Sequence, residues 1–276
     1  MSMNAKLLQS QNIQNKSLNI IAIGSSITQD NLNSDVIVQH FGNSFYNFSS
    51  WGTDISETRY FCEYYVSKYH PKLVLILSYH KDFTKNNIIK LPYLPFVYYP
   101  IIKWYYAAYK TVIELNSAIN DNKAYKIYRN NREYITSLMF DAYGGVSLTI
   151  PKENIEPRRW NDSLDFSKTE LDENQYKELD ILAKNLHKQN IILVFVQVPY
   201  REDEIKGLDL TSLYKHTDKC RSILSENGQV YLNYATDTEL SNIGYFVDVW
   251  HQNETGAVQL TKRIAHDIDS LGILKK

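Results

Sequence analysis

Apolar residues in this chain gather into short, nearly unbroken runs separated by longer stretches in which they recur at helical spacing. Leu18-Asn19-Ile20-Ile21-Ala22-Ile23, Leu73-Val74-Leu75-Ile76-Leu77 and Ile191-Ile192-Leu193-Val194-Phe195-Val196 show little polar alternation, the pattern of strands buried on both faces. Phe45-Tyr46-Asn47-Phe48 and Val230-Tyr231-Leu232-Asn233-Tyr234 read as two further strands. Between them, Asp54 and Glu57 stand in capping-box spacing and open a helix that runs to His70, where Pro71 stops it. Tyr176, Leu179, Leu182 and Leu186 form one helical stripe, and Leu210, Leu213, Cys220 and Ile223 a second that ends at Gly228. Asn253 caps a last helix with Ala257, Leu260, Ile264 and Ile268 on its apolar face.

Strands alternating with helices predict an α/β fold: a doubly wound, five-stranded parallel sheet flanked by helices. Ligands in such sheets bind beyond the carboxyl ends of the strands. Ser26, Gly52 and the segment after Leu77 all fall there. Residues 83 to 187 are too long for one crossover and must hold structure of their own. Within them Tyr93, Phe96, Tyr98, Tyr99, Trp104, Tyr105, Tyr106 and Tyr109 are interrupted by Pro92, Pro95 and Pro100. The prolines and Lys103 argue against a membrane span. A helical, aromatic-rich insertion lying as a lid beside the sheet edge is expected, or else a satellite core.

Composition narrows the function mainly by exclusion. At 276 residues, 43% hydrophobic, 22% charged and net charge −1, the chain is an ordinary globular protein with no electrostatic call for nucleic acid. No stretch reaches the roughly 18 apolar residues of a transmembrane segment. The polar 1–16 tail lacks a signal-like apolar core, so the chain as given reads as cytoplasmic, with cell-envelope association if it is part of a longer protein. Cys62 and Cys220 fit no metal spacing and read as two buried free thiols rather than a disulfide. No metal site is expected among the seven histidines, and neither a P-loop nor a dinucleotide fingerprint occurs. The 22 tyrosines suit sugar-stacking surfaces, although Asn, Lys and Ile rise with them as compositional bias would produce.

The candidate chemistry sits at the two ends of the chain. Ser26 follows a buried strand and Gly24, where its hydroxyl can project from the sheet edge; alternatively, Ser25 and Ser26 only cap the next turn. Asp248 precedes His251 by three residues, so its carboxylate can fix the imidazole tautomer and stabilise the imidazolium. A nucleophile with a base and its orienter is the arrangement of serine acyl-ester chemistry. Arg158-Arg159-Trp160 could hold an anion but reads as an exposed basic pair.

On these residues the chain resembles the SGNH, or GDSL-type, hydrolase superfamily. Ile23-Gly24-Ser25-Ser26-Ile27-Thr28 is similar to the first block, with Ser25 in place of its aspartate; Asn47 to Gly52 is similar to the second; Phe246 to His251, with Asn253 and Gly256, is similar to the last. The third block departs, because Ser78-Tyr79-His80-Lys81-Asp82 lacks the asparagine that donates to the oxyanion. The resemblance implies Ser26 as nucleophile, His251 as base, Asp248 as its orienter, and the amides of Ser26 and Gly52 as oxyanion donors, with His80 or Lys81 replacing the asparagine. It covers 17–82 and 188–272, and implies one domain over 17–272 with an insertion about 83–175. The serine in the first block is shared with branches resembling bacterial carbohydrate esterases and O-acyltransferases. The expected activity is therefore hydrolysis or transfer of O-acetyl groups on a small-molecule or glycan substrate. No cofactor is expected beyond an acetyl donor such as acetyl-CoA for a transferase. The other reading, favoured by the missing asparagine, is a non-catalytic glycan-binding or scaffold module. The oligomeric state is not legible.

Overall fold

The computed structural model describes residues 17–84, 140–149, 160–161, 166 and 168–274. Five parallel strands, β1 (Ile20–Ala22), β2 (Phe45–Asn47), β3 (Leu73–Ser78), β4 (Ile192–Gln197) and β5 (Val230–Asn233), form one sheet in the order β2-β1-β3-β4-β5. This is the expected doubly wound α/β fold. Among the described residues the helices are α1 (Ser26–Asn31), α2 (Ser34–Phe41), α3 (Ile55–Tyr69), α4 (Glu173–Lys188), α5 (Glu202–Ile205), α6 (Thr211–Glu226) and α7 (Glu254–Ser270).

The unbroken apolar runs are explained by two cores, one on each face. Ile21, Val74, Leu193 and Phe195 point to a face rich in aromatic residues, among them Phe48, Tyr65, Phe83 and Tyr176, under α3, α4 and α6. Their neighbours Ile20, Leu75, Leu77, Val194 and Val196 point to the other, largely aliphatic face beneath α1, α2 and α7. Each such side chain contributes about 1.5–3 kcal/mol through burial. Cys62 and Cys220 are buried free thiols in the aromatic core, as read from the sequence.

The helix boundaries follow the capping residues. Asp54 and Glu57 make the reciprocal capping box at the start of α3, and its C-cap His70 turns left-handed before Pro71. Asn253 caps α7 by accepting from the Gly256 amide at 3.0 Å. Helix α2 was not legible in the sequence, because Val36, Ile37 and Val38 are β-branched and poor helix formers. It forms because Asn33 caps it and Ile37 is fully buried in the aliphatic core.

Much of the expected insertion, including the aromatic stretch 91–109 and the lid assigned to it, lies outside the described residues, as do Arg158 and Arg159. The described residues 140–149 are irregular and dock on the sheet domain. The Tyr143 carbonyl accepts from Asn47 N–H at 2.8 Å, Val146 N–H donates to Gln29 O at 3.1 Å, and Leu148 O accepts from Glu254 N–H at 3.0 Å. Among the described residues no helix is long and apolar enough to cross a membrane.

Candidate active site

The sheet order sets three strand ends side by side. The turn after β1 is flanked by the turn after β2 on one side and the turn after β3 on the other. Both neighbours are tied to it: Ser50 N–H donates to Gly24 O at 2.9 Å, and Ser25 Oγ donates to Asp82 Oδ2 at 3.1 Å. Gly24 is required here, because it has φ of +152° and a Cβ would lie 2.3 Å from Thr28 Oγ1. That hydroxyl donates to Leu77 O at 2.6 Å and accepts from Leu77 N–H at 2.9 Å, fastening α1 to β3.

The two serines divide the roles that the sequence left open. Ser25 is the N-cap of α1, its oxygen accepting from Ile27 N–H at 3.3 Å. Ser26 begins the helix, and its Oγ lies 2.9 Å from His251 Nε2. His251 Nδ1 lies 2.9 Å from Asp248 Oδ2 and 3.1 Å from Oδ1. Asp248 also accepts the backbone N–H groups of Trp250 and His251, at 2.9 and 2.7 Å, so one carboxylate shapes the turn and orients the ring. Burial would raise this carboxyl. The charge of His251 and these hydrogen bonds outweigh it and hold Asp248 well below the usual carboxylate range. With Asp248 ionised, His251 carries its proton on Nδ1, leaving Nε2 to accept from the Ser26 hydroxyl.

The third-block residues are placed less simply. Lys81 lies with its ammonium 3.7 Å over the Trp250 ring. His80 is buried, with Nδ1 2.7 Å from the Tyr200 hydroxyl. That hydroxyl already accepts two N–H groups, the His80 amide at 3.2 Å and Gln197 Nε2 at 3.4 Å. Its one proton must therefore go to His80 Nδ1, which puts the ring proton on Nε2. Burial lowers the His80 imidazole to about 3, so it stays neutral. The result is an Nε2–H donor, buried and without an acceptor among the described residues.

Three groups that sequence reasoning passed over also belong to this edge. Asp82 accepts from Ser25 and from Ser78 Oγ at 2.9 Å, and burial pushes its carboxyl up to about 7. Asp30 is buried one turn along α1 from Ser26. Arg201, also buried, donates to the Trp160 carbonyl at 3.1 Å and stacks on its ring at 4.2 Å. Gly52 has φ of +73°, and a Cβ there would meet nothing within 4 Å among the described residues beyond its chain neighbours, while Trp51 beside it is 37% exposed. Among the described residues no cluster of His, Cys, Asp and Glu could hold a metal ion.

No family model and no curated protein matches the chain by sequence. Its fold is similar to that of a solved Bacteroides fragilis protein designated an acylhydrolase, at 11% identity over 98% of this chain and 97% of that one, with a TM-score of 0.52. Other matches include a GDSL-like lipase from Bacteroides thetaiotaomicron, at 12% identity over 98% and 100% of the chains and a TM-score of 0.46. An α/β hydrolase from the Lake Arreo metagenome matches at 12% identity over 95% and 98%, with a TM-score of 0.48. At TM-scores below 0.5 these two add no weight. Strand order, crossovers and the first match agree on one fold: the chain shares the doubly wound α/β fold of that solved protein.

Proposed function

We propose that this protein is a serine-dependent acyl-ester enzyme in which Ser26 attacks, His251 moves the proton and Asp248 holds His251. The observation that carries the reading is the continuous hydrogen-bond chain from Ser26 Oγ through His251 to Asp248. Ser26 Oγ adds to the ester carbonyl carbon as its proton passes to His251 Nε2. The amides of Ser26 and Gly52 and the His80 Nε2–H receive the oxyanion. Collapse expels the alcohol, which takes the proton from Nε2 and leaves an acyl-serine. Water or a second hydroxyl then attacks that ester by the same proton route, giving hydrolysis or transfer.

The substrate class we infer is an O-acetylated carbohydrate. It is supported by the serine in place of the first-block aspartate and by Trp51, half-exposed beside Gly52, whose ring offers a stacking face. A non-catalytic module on the same fold is favoured by the missing third-block asparagine and by the buried position of His80. One experiment separates them. A fluorophosphonate probe is expected to label Ser26, with label and p-nitrophenyl acetate turnover both lost in Ser26→Ala. Turnover that survives Ser26→Ala would overturn the assignment. Acetate release from acetylated xylan but not from the simple ester would mark the sugar as the specificity element.

A further inference from the structure

The Ser26–His251–Asp248 relay leaves the buried carboxyls of Asp30 and Asp82 unused, and Asp30 is the one on the helix that bears Ser26. Asp30 stands four residues after Ser26 on α1, so the two share a helix face. The groups facing it come from three elements. Gln29 Nε2, on its own helix, donates to Oδ1 at 3.1 Å. The Trp51 side chain donates from the turn after β2, and His251 and Asp248 act on it by charge from the last turn. A carboxyl taken out of water is costly unless it is paired. Here its partners are the indole next to Gly52 and the imidazole next to Ser26.

We propose that Asp30 is a second positioning carboxylate of this site, supporting the His251 imidazolium together with Asp248 and holding the Trp51–Gly52 turn against the helix that bears Ser26. The inference rests on the acyl-serine reading above. As the proton leaves Ser26 Oγ for His251 Nε2, positive charge develops on the ring inside a poorly solvated cleft. A second fixed negative charge there lowers the energy of that state. The indole hydrogen bond acts on the other half of the reaction: Trp51 precedes Gly52, so fixing the indole fixes where the glycine amide points.

Two variants separate these contributions. Asp30→Asn keeps the shape and the acceptor for the indole but removes the charge; Trp51→Phe keeps the charge and removes the hydrogen bond. Burial pushes the Asp30 carboxyl up to about 6, against the pull of His251, so the carboxylate is present above that pH and lost below it. The wild-type pH profile of kcat/KM should therefore carry an inflection near pH 6. In Asp30→Asn that inflection should disappear and kcat/KM at pH 8 should fall about tenfold. Trp51→Phe should keep the inflection and lower kcat/KM. In the wild type, the Trp51 indole N–H resonance should shift as pH crosses the same point, and in Asp30→Asn it should not. An Asp30→Asn enzyme with wild-type rates and an unchanged inflection would overturn the role of Asp30, and unchanged kcat/KM in Trp51→Phe would overturn the hold on Gly52. Active Ser26→Ala would sink the acyl-serine reading itself; inactive Ser26→Ala with unaltered Asp30→Asn sinks only this inference.

Discussion

Two imidazoles stand near the same sheet edge in opposite surroundings. His251 lies between an ionised carboxylate and a hydroxyl, with a partner on each ring nitrogen. His80 is packed among Phe166, Tyr200 and Trp250, and its one partner, the Tyr200 hydroxyl, is neutral. A carboxylate neighbour favours the charged ring, so His251 can accept a proton and give it back. A buried, neutral hydroxyl does not, and desolvation keeps His80 an N–H donor at every working pH. The charge of the partner separates a proton carrier from a fixed dipole.

The contrast can be broken from the His251 side first. Asp248→Asn leaves His251 with a neutral partner, like His80, and turnover of p-nitrophenyl acetate is expected to fall about 10⁴-fold. Retained circular dichroism would show that the fold is intact, and a loss below tenfold would remove Asp248 from the relay. From the other side, His80→Ala deletes the donor and should cost about 10²–10³ in kcat with little change in KM. Tyr200→Phe is milder: it releases the tautomer of His80, so kcat should drop less than in His80→Ala. The ¹⁵N spectrum of the ring should then show Nδ1 no longer acting purely as an acceptor. Equal and negligible losses in the two variants would place His80 outside the chemistry.

The smallest effect concerns stability. Asp82 ionises at about 7 in the folded chain, above the ordinary carboxylate value, so the folded state binds its proton more tightly than the unfolded state. Its contribution is fully present at acid pH and lost as pH rises through about 7. Asp82→Asn should therefore show a smaller fall in melting temperature between pH 5 and 8 than the wild type, read as the difference between the two. An identical pH dependence would mean that Ser25 and Ser78 already stabilise the carboxylate in full.

The division between what the sequence revealed and what it concealed follows from range. Strands buried on both faces announce themselves as apolar runs, and Asp248 and His251 share one turn, so both were legible. Ser26 was legible because Gly24 and the end of β1 precede it directly. Tyr200 was not: it reaches His80 only because Ser78 pairs with Gln197 across β3 and β4, a register that no local pattern encodes. Asp30 and Asp82 escaped notice for a related reason. On the sequence each is one polar residue near a helix start, and only the packing around it shows that its carboxyl is dry. The third-block departure was visible as a missing asparagine, but the proton on His80 Nε2 emerges only from counting the bonds of the Tyr200 oxygen.

Thr28 carries a consequence for what this site can be persuaded to accept. Its single oxygen occupies both backbone groups of Leu77, so the side chain completes a rung of the sheet where β1 has already ended. The wall that bears Ser26 is in effect part of the ladder and has no freedom to retreat from a bulkier acyl group. The Gly52 turn is tied at Ser50, and the φ of +73° at Gly52 would strain any side chain placed there. Attempts to widen the acyl range by directed evolution should thus leave Gly24 and Thr28 untouched and keep Gly52 a glycine.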